Sequence, residues 1–428
     1  MIRNAIVCAA LLTVAASAFA QEHIPTFRKI QLTDQFWSEG ADYADFNHDG
    51  QMDVVSGPFW YEGPDFKTRH EYRPANHSFT TTNAAGETVT IPGFEGALGE
   101  KNQYSDDFLT FTFDINGDGW TDIVNVGFPG KETYWYENPQ NKGGPWARHL
   151  IIPSTDDESP GFGDLLGDGK RELICCTSNY LGYAAPADWS HPEREWTFHR
   201  ISPKHKDYQK FLHGLGFGDV NGDGRNDILI KNGWYEQPTS LEGDPVWKFH
   251  PYPFAPPTKS PTAGSSTMHV YDVNGDGLPD VITCLDPHGF GLAWYEQLPE
   301  KDAKGEIQFK QHLILNPNGS PNAYGVAFSE PHSIALADMD GDGLKDIVTG
   351  KRFWAHGKGG IDPQSNYPAV LYWFKLVRGP NHTAEFVPHL IDTNSGVGTE
   401  VIVGDVNGDG RPDIVVGNKK GTFVFLQQ

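Results

Sequence analysis

The chain has 428 residues, of which 56 are Asp or Glu and 33 are Lys or Arg, so its formal net charge is −23. This acidic balance argues against nucleic acid and against an anionic membrane surface as partners, because like charges repel. Beyond the first twenty residues only Cys175, Cys176 and Cys284 remain, an odd number in apolar, strand-like stretches. This excludes a disulfide framework and predicts buried thiols.

Residues 1–20 have the pattern of a secretory signal peptide. Arg3 gives a basic start, an apolar run covers residues 5–18, and small residues precede the predicted cleavage point. The run is shorter than the roughly 20 apolar residues that span a bilayer, and Cys8 lacks the small-residue box of a lipidated cysteine. We therefore predict a mature chain of residues 21–428 in the periplasm or outside the cell, without membrane insertion. Its oligomeric state stays open.

The pattern D-x-N/D-x-D-G-x-x-D recurs along the chain. Its copies begin at Asp45, Asp114, Asp164, Asp219, Asp272, Asp338 and Asp405. Their spacings of 69, 50, 55, 53, 66 and 67 residues suit four-stranded units with loops of varied length. We therefore predict an all-β fold in which residues 21–428 form one seven-bladed β-propeller with four strands in each blade.

The stretches around the loops predict these strands in order. Each loop is entered by a small or apolar stretch such as GLGFG and left by a β-branched run such as DIVNV. A third strand carries an aromatic pair, whose tryptophans we assign to packing between blades. They are Trp60, Trp135, Trp234, Trp294 and Trp373. A fourth, outer strand carries a histidine that recurs from blade to blade, which indicates a structural role. These histidines are His149, His199, His250, His312 and His389.

Two segments depart from the regular repeat. The stretch TFRKIQL near the N-terminus fits the fourth-strand pattern, whereas the chain ends on a third strand, TFVFLQQ. The N-terminal strand is therefore expected to complete the last blade, which removes an open sheet edge.

An insertion at about residues 73–103 is rich in Gly, Thr and Asn and lacks the strand pattern. It is predicted to be a flap over one face.

The aspartate loops have the composition of calcium sites. Calcium takes six to eight oxygen ligands, and carboxylates or amides at positions 1, 3, 5 and 9 with one carbonyl can supply them. The loop starting at Asp164 departs from the others, with Leu166 third and Glu172 ninth, so we expect it to bind its ion weakly or not at all. We predict up to seven calcium ions that fasten the first two strands of each blade. The ligands are Asp45, Asn47, Asp49, Asp53, Asp114, Asn116, Asp118, Asp122, Asp164, Asp168, Glu172, Asp219, Asn221, Asp223, Asp227, Asp272, Asn274, Asp276, Asp280, Asp338, Asp340, Asp342, Asp346, Asp405, Asn407, Asp409 and Asp413.

A second candidate site lies at the other end of the innermost strands. Six residues before each loop, roughly 20 Å away at about 3.3 Å per residue, the chain places Glu39, Phe108, Glu158, His213, Ser266, His332 and Thr399. Glu400 is adjacent. The loops after the second strands open on the same face and bring, among others, His288, Lys351, Arg352 and His356. Imidazoles and carboxylates around an axis are ligands for zinc, manganese or iron and groups for proton abstraction. The alternative is a solvated polar channel without metal.

The steps Phe162-Gly163 and Phe217-Gly218 before two of the loops resemble the FG-GAP or VCBS repeat family. That resemblance implies a calcium-binding propeller, in a family that includes adhesion proteins, binding modules and lyases. The segments ADYADFNHDGQMDVVSGPFWYEGP and DINGDGWTDIVNVGFPGKETYWYENP are further similar to the propeller of the fungal aldos-2-ulose dehydratases, also called anhydrofructose dehydratases. The cupin domains of those enzymes are absent from this chain.

The resemblance implies a carbon–oxygen lyase, a sugar dehydratase or polysaccharide lyase that acts on a keto-sugar or uronate-type substrate by β-elimination. Such chemistry needs a base, a group that holds the enolate, and an acid for the leaving oxygen. The hypothesis assigns His213 or His332 as metal ligand or base, Glu158 and Glu400 as ligands or bases, and Lys351 or Arg352 as the enolate or substrate clamp. The alternative is a non-catalytic propeller that binds glycan or protein. Motifs for serine hydrolases, nucleotides and nicotinamide cofactors are absent from the sequence.

Overall fold

A computed structural model describes residues 24–82, 85–92, 104–256, 264–357 and 362–428. The predicted signal segment 1–20 lies outside these residues. Nearly all regular structure is β-strand, and the described residues also include a short 3₁₀ helix, Pro380–His382. No helix in the described part of the chain has the length and apolar character needed to cross a membrane.

Most strands belong to antiparallel four-stranded sheets, and four of these sheets in the described residues are each formed by a contiguous run of the chain. The first comprises β2 (Asp42–Ala44), β3 (Asp53–Ser56), β4 (Phe59–Tyr61) and β5 (Arg69–Glu71). The next comprises β8 (Leu109–Phe113), β9 (Asp122–Val126), β10 (Lys131–Glu137) and β11 (Ala147–Thr155). It is followed by β12 (Gly161–Gly163), β13 (Glu172–Thr177), β14 (Tyr180–Ala185) and β15 (Thr197–Arg200). Nearer the C-terminus lie β24 (Ile334–Ala337), β25 (Asp346–Gly350), β26 (Leu371–Arg378) and β27 (Ala384–Asp392).

The last four-stranded sheet joins the two ends of the chain. It comprises β28 (Ile402–Gly404), β29 (Asp413–Asn418), β30 (Gly421–Gln427) and, on the outside of β30, the N-terminal β1 (Phe27–Thr33). β1 and β30 are antiparallel, with Phe27 opposite Gln427 and Thr33 opposite Thr422. This is the position expected from the fourth-strand pattern of the N-terminal segment.

The middle of the chain forms one eight-stranded sheet. Its strands are β16 (Leu215–Gly218), β17 (Asp227–Ile230), β18 (Gly233–Glu236), β19 (Lys248–Pro251), β20 (Thr267–Tyr271), β21 (Asp280–Cys284), β22 (Leu292–Leu298) and β23 (Gln308–Leu315). Its two halves meet through parallel pairing of β16 with β20, where Gly216 lies opposite Met268. A Cβ atom on Gly216 would lie 2.0 Å from the Met268 carbonyl oxygen, so the missing side chain permits this approach.

The prediction of seven separate four-stranded blades is therefore wrong. In its described residues the molecule is an all-β propeller with five separate four-stranded sheets, one eight-stranded sheet and one two-stranded ribbon. The innermost strands of neighbouring sheets, such as β2 and β8 or β24 and β28, contact one another. This arrangement brings the residues that precede those strands towards the centre of the ring.

The insertion at about residues 73–103 contains regular structure that its composition did not predict. β6 (Ser78–Thr82) and β7 (Thr88–Pro92) pair as an antiparallel two-stranded ribbon. Threonine-rich runs with β-branched residues favour strands, and this local preference explains the ribbon. Residues 93–103 of the predicted flap lie outside the described residues.

The recurring tryptophans and outer-strand histidines form a structural element. The rings of Trp60, Trp135, Trp234, Trp294 and Trp373 are nearly buried. Each stacks on a histidine of the next strand, with ring centroids 3.9–4.4 Å apart. In four of these stacks a glutamate two residues after the tryptophan binds the histidine, as Glu296 binds His312 at 2.7 Å. This supports the structural interpretation of both residue types.

Candidate metal centre at the propeller axis

Three histidines and one glutamate converge where several repeats meet. Glu158 precedes β12, His213 precedes β16, and His332 precedes β24. The Glu158 backbone N–H donates to the Leu212 carbonyl at 2.8 Å, which draws the segments before β12 and β16 together. His288 comes from the turn between β21 and β22, and its backbone N–H donates to Asp286 Oδ1 at 3.1 Å.

The ligand-type atoms of this group, here called the axial cluster, lie close together. His213 Nε2 is 3.1 Å from His332 Nε2 and 3.2 Å from His288 Nε2. Glu158 Oε2 is 3.3 Å from His213 Nε2 and 3.4 Å from His332 Nε2. The exposed fraction is 3% for His213, 1% for His332 and 7% for Glu158. Four potential metal ligands thus lie close together, and three of them are nearly buried.

Hydrogen bonds of two of the rings indicate how their nitrogens are used. His213 Nδ1 lies 2.8 Å from the Phe211 carbonyl oxygen, so it donates its proton there. Arg352 Nη1 donates to His332 Nε2 at 2.9 Å. The lone pair of His332 Nε2 thus faces the Arg352 guanidinium, whereas His213 Nε2 has the lone pair that a metal ion could take up directly. A metal ion could use His332 Nε2 only by displacing the Arg352 donor.

The electrostatic environment keeps the glutamate charged and two of the rings neutral. Burial alone would raise the pKa of Glu158, but the neighbouring His213, the hydrogen bonds from both histidines and the charge of Arg352 hold that pKa well below its ordinary value. Burial, with the positive charge of Arg352, lowers the pKa of His332 to about 3. Burial and the neighbouring histidines lower the pKa of His288 well below its usual value. A carboxylate with neutral imidazoles is the protonation state that metals bind.

A buried ion-pair network supports the axial cluster from behind. Arg352 donates from Nη1 to Glu158 Oε2 and from Nε to Glu39 Oε2, both at 3.1 Å. Lys419 Nζ donates to the other Glu39 oxygen at 2.9 Å. All of these side chains are at least nine-tenths buried. The network alternates in charge from Glu158 to Lys419, so each carboxylate has a cation beside it.

The cluster is accessible to solvent on the side of His288. The His288 side chain is 17% exposed, and its Nδ1 is 3.7 Å from the buried Asp362 Oδ1. The neighbouring His356 is 36% exposed and its Nδ1 lies 2.8 and 2.9 Å from the two Asp362 oxygens. The His288 and His356 ring centroids are 4.5 Å apart. Asp362 thus orients an exposed imidazole next to the axial cluster.

Three aromatic side chains pack together beside the segment that carries His213. Phe211, two residues before His213, is 39% exposed. Its ring packs on Phe128 with a centroid distance of 5.7 Å, and Phe128 packs on Tyr104 at 5.1 Å. An exposed ring beside polar groups is the kind of surface on which a sugar ring can stack.

The structure brings together some of the residues that the sequence proposed as ligands or catalytic groups and places others elsewhere. His213, His332, Glu158 and Arg352 come together. Glu400 does not join them, because its Oε2 accepts the backbone N–H groups of Ala41 and Thr110 at 3.2 and 3.0 Å.

Lys351 and Arg352, expected at the rim, are 0% and 1% exposed. Lys351 Nζ binds Ser329 Oγ at 2.8 Å and Glu330 Oε2 at 3.1 Å. Burial raises the pKa of Glu330 to about 7. Both cations therefore contact protein groups in this conformation.

Sequence reasoning placed His288 and His356 in loops on the axial face but assigned them no ligand or catalytic role, and it did not select Asp362. His288 lies in the turn Asp286-Pro287-His288-Gly289, which follows a second strand and so opens on the face where the axial residues gather. A Pro-His-Gly turn on that face is the signal that could have identified it.

The aspartate loops form a separate set of carboxylates at the opposite ends of the innermost strands. Asp227 shows the common geometry: it is fully buried, Val220 N–H donates to its Oδ2 at 3.0 Å, and Gln237 N–H donates to its Oδ1 at 2.9 Å. Burial, aided by Asp223 and Asp219, raises the pKa of Asp227 to about 7 against these hydrogen bonds. The ninth residue thus links loop and third strand, and its ionised form needs a nearby cation.

Family models match three stretches of the chain. A model described as an FG-GAP-like repeat matches residues 114–175 and 272–349, and a model described as an FG-GAP repeat matches residues 397–424. The chain contains FG-GAP repeats. The first two matched stretches each include two aspartate loops, and the third includes one. These loops begin at Asp114, Asp164, Asp272, Asp338 and Asp405. No curated protein matches the chain by sequence.

The solved structures that are similar to this chain are distant from it in sequence. A lectin from Agrocybe aegerita that recognises non-reducing terminal N-acetylglucosamine is 14% identical, with 94% of this chain and 86% of the lectin covered and a TM-score of 0.43. The exotype rhamnogalacturonan lyase YesX is 13% identical, with 93% and 72% covered and a TM-score of 0.40. A rhamnogalacturonan lyase from Bacillus licheniformis has the same identity and coverage and a TM-score of 0.39.

Proposed function

We propose that the axial cluster binds one divalent first-row transition metal and that this centre, at the mouth of a secreted propeller, acts on a carbohydrate. The observation that carries the proposal is the convergence of His213 Nε2, His288 Nε2, His332 Nε2 and Glu158 Oε2. Three imidazoles and a carboxylate suit zinc, manganese, iron or cobalt, whereas magnesium and calcium prefer oxygen ligands only.

The spacing of the ligand atoms fits such an ion. The measured separations are 3.1, 3.2, 3.3 and 3.4 Å. Ligands about 2.0–2.1 Å from a tetrahedral zinc ion are about 3.3–3.4 Å apart. Adjacent ligands about 2.1–2.2 Å from an octahedral metal are about 3.0–3.1 Å apart. These four separations match an enclosed ion, and the two remaining pairs, between His288 and both His332 and Glu158, lie within 4.8 Å. An ion would also have to replace the Arg352 contact on His332.

The chemistry proposed for this centre is carbon–oxygen bond cleavage by β-elimination. When bound, the metal would act as a Lewis acid on a carbonyl or carboxylate oxygen next to the carbon that loses a proton. His356, held by Asp362 and partly exposed, is placed to exchange a proton with a ligand at the mouth. Phe211 offers a surface for the sugar ring. A keto-sugar or uronate-type substrate would meet these requirements, in agreement with the predicted relation to the aldos-2-ulose dehydratases.

The aspartate loops are proposed to bind calcium and to stabilise the fold. Their ninth residues are buried carboxylates whose pKa values are raised to about 6 or 7 by burial, as for Asp53, Asp122, Asp280 and Asp413. A calcium ion beside them would offset the cost of burying the ionised form.

Metal analysis of the purified protein tests the axial site. We expect about one zinc, manganese, iron or cobalt per chain in addition to calcium. His288→Ala removes a partly exposed ligand and should lose that metal while it keeps its calcium. His312→Ala, a histidine of the outer strand, is the matched control and should retain both. A metal content unchanged by His288→Ala would contradict the proposed site.

An assay of turnover tests the reaction. The protein would be incubated with keto-sugars and with uronate polymers, and unsaturated products followed by their near-ultraviolet absorbance. We expect a product that disappears with His288→Ala and persists with His312→Ala. Metal binding without any product would contradict the lyase proposal and leave the metal site standing.

One observation favours a second candidate function, a non-catalytic glycan- or protein-binding propeller. Arg352 Nη1 already donates to His332 Nε2 and to Glu158 Oε2, so a protein cation fills part of the coordination space. A protein that contains calcium but no transition metal, and that binds oligosaccharides without converting them, would support this alternative.

A further inference from the structure

One aspartate loop differs in charge from its equivalents. In four repeats the third loop residue is Asn, and a glutamate directly follows the aromatic pair of the third strand. The pairs are Asn47 with Glu62, Asn116 with Glu137, Asn221 with Glu236, and Asn274 with Glu296.

The loop that starts at Asp338 has Asp340 and Lys375 at these two positions. The equivalence is structural, because Glu137 follows Tyr136, which pairs with the residue after Asp122, just as Lys375 follows Phe374, which pairs with the residue after Asp346. Compared with the four other repeats, this repeat has a carboxylate, Asp340, in place of the loop asparagine. It has a lysine, Lys375, in place of the strand glutamate.

Lys375 inserts its ammonium group into this loop. Its Nζ forms an ion pair with Asp340 Oδ2 and lies 3.4 Å from Asp342 Oδ2. The Lys375 side chain is 13% exposed and the Asp340 side chain 4%. The next residue of the strand, Leu376, donates its N–H to Asp346 Oδ1 at 2.8 Å. Strand β26 therefore contacts both the third and the ninth residue of the loop.

The carboxylates of this loop lie close together. Oxygens of Asp338, Asp340 and Asp346 lie within 4.8 Å of one another, whereas in the four loops above the third position carries an asparagine amide instead of a carboxylate. Positive charge close by reduces the repulsion among three such carboxylates. Lys375 supplies that charge.

We propose that Lys375 takes the place of calcium in the loop that starts at Asp338, so that this loop is fastened by an ammonium group of the protein while its equivalents depend on an ion. An ammonium group carries three donors and one charge, and the additional carboxylate of Asp340 provides its partner. Since Lys375 belongs to β26, the ion pair links the loop to the third strand in the absence of calcium.

The inference rests on the proposal that the other loops bind calcium, and calcium stoichiometry tests both. Bound calcium per chain is measured after equilibrium dialysis. Asp272→Ala, in the equivalent loop of another repeat, should lose about one ion relative to the wild type. Asp338→Ala should lose none. The double variant Asp340→Asn/Lys375→Glu reproduces the arrangement of the four loops above and should gain about one ion. A folding defect cannot produce that gain.

The outcomes separate the two proposals. If Asp338→Ala loses an ion as Asp272→Ala does, or if the double variant gains none, the role of Lys375 is overturned and the other calcium sites stand. If neither the wild type nor any variant binds calcium, the proposal of calcium in the FG-GAP repeats fails, and the inference fails with it.

Discussion

Replacement of Arg352 by methionine tests the electrostatics of the axial cluster. Arg352 is 1% exposed and donates charge-assisted hydrogen bonds to Glu39 and Glu158, each at 3.1 Å. Without it Glu39 retains Lys419 at 2.9 Å, whereas Glu158 loses the cation closest to it. Removing one partner from a buried ion pair typically costs about 3–5 kcal/mol. We expect a loss of that order in the free energy of unfolding of the metal-free protein.

A bound transition metal should reduce this loss. The ion would neutralise Glu158 directly, and Glu39 keeps its lysine, so the expected loss in the metal-loaded protein is about 2 kcal/mol or less. The same substitution removes the donor that occupies His332 Nε2. Arg352→Met should therefore bind the metal at least as tightly as the wild type.

Urea unfolding with and without the metal, in the presence of calcium, measures both quantities. Lys67→Met is the control, because Lys67 pairs with Asp65 at 2.7 Å on the surface, with side chains 80% and 58% exposed. Exposed pairs contribute about 0–1 kcal/mol. An equal loss with and without metal would refute the argument that Arg352 and the ion compensate the same carboxylate. A loss no larger than that of the control would refute the argument that the network is effectively buried.

Three further predictions concern the fold. Deleting residues 24–33 should lower the melting temperature and cost about 5 kcal/mol or more, because six residues of β1 pair with β30 at about 1 kcal/mol per hydrogen bond; an unchanged melting temperature would contradict it. Chelation of calcium should lower the melting temperature, and added calcium should restore it. A melting temperature that a chelator leaves unchanged would contradict the structural role of the aspartate loops. Burial raises the pKa of Asp107 to about 7, although Arg73 lowers it and Asp106 adds to the rise. The folded protein therefore holds the proton of Asp107 more tightly than the unfolded chain. This stabilisation is fully present below about pH 4 and should be lost as the pH rises through 7. Asp107→Asn should remove about one proton from the pH dependence of unfolding between pH 4 and 7, and identical slopes would count against it.

The sequence predicted the strands because the FG-GAP repeats combine two local signals. Aspartate loops with glycines define the turns, and β-branched or aromatic runs define the flanking strands, so nearly every strand has its own signal. Hydrogen bonds between repeats have no such signal. The pairing of β16 with β20 depends on Gly216, whose lack of a Cβ permits contact with Met268, and this contact is visible only in three dimensions.

The sequence predicted those members of the candidate site whose place depends only on their distance from the aspartate loop along the chain. Glu158, His213 and His332 occupy the same position relative to their loops, and the ring symmetry brings them together. Glu400 is one residue beyond that position, and successive side chains of an extended chain point to opposite sides, so it binds backbone N–H groups instead. His288 and Asp362 come from loops, whose paths the repeat does not determine. Arg352 was predicted as a site residue, but its burial between two glutamates follows only from the packing.

The pairing of β1 with β30 also constrains how the chain folds. Phe27 lies opposite Gln427, 400 positions later, so the last sheet cannot be completed until almost the whole chain has been synthesised. Until then the residues of β1 have no partner, and afterwards Phe423 and Phe425 of β30 remain uncovered until β1 arrives. Contacts between such distant residues slow folding and prolong the exposure of unpaired strand edges. Protection of these two segments should therefore be the last to appear in a refolding experiment followed by hydrogen exchange.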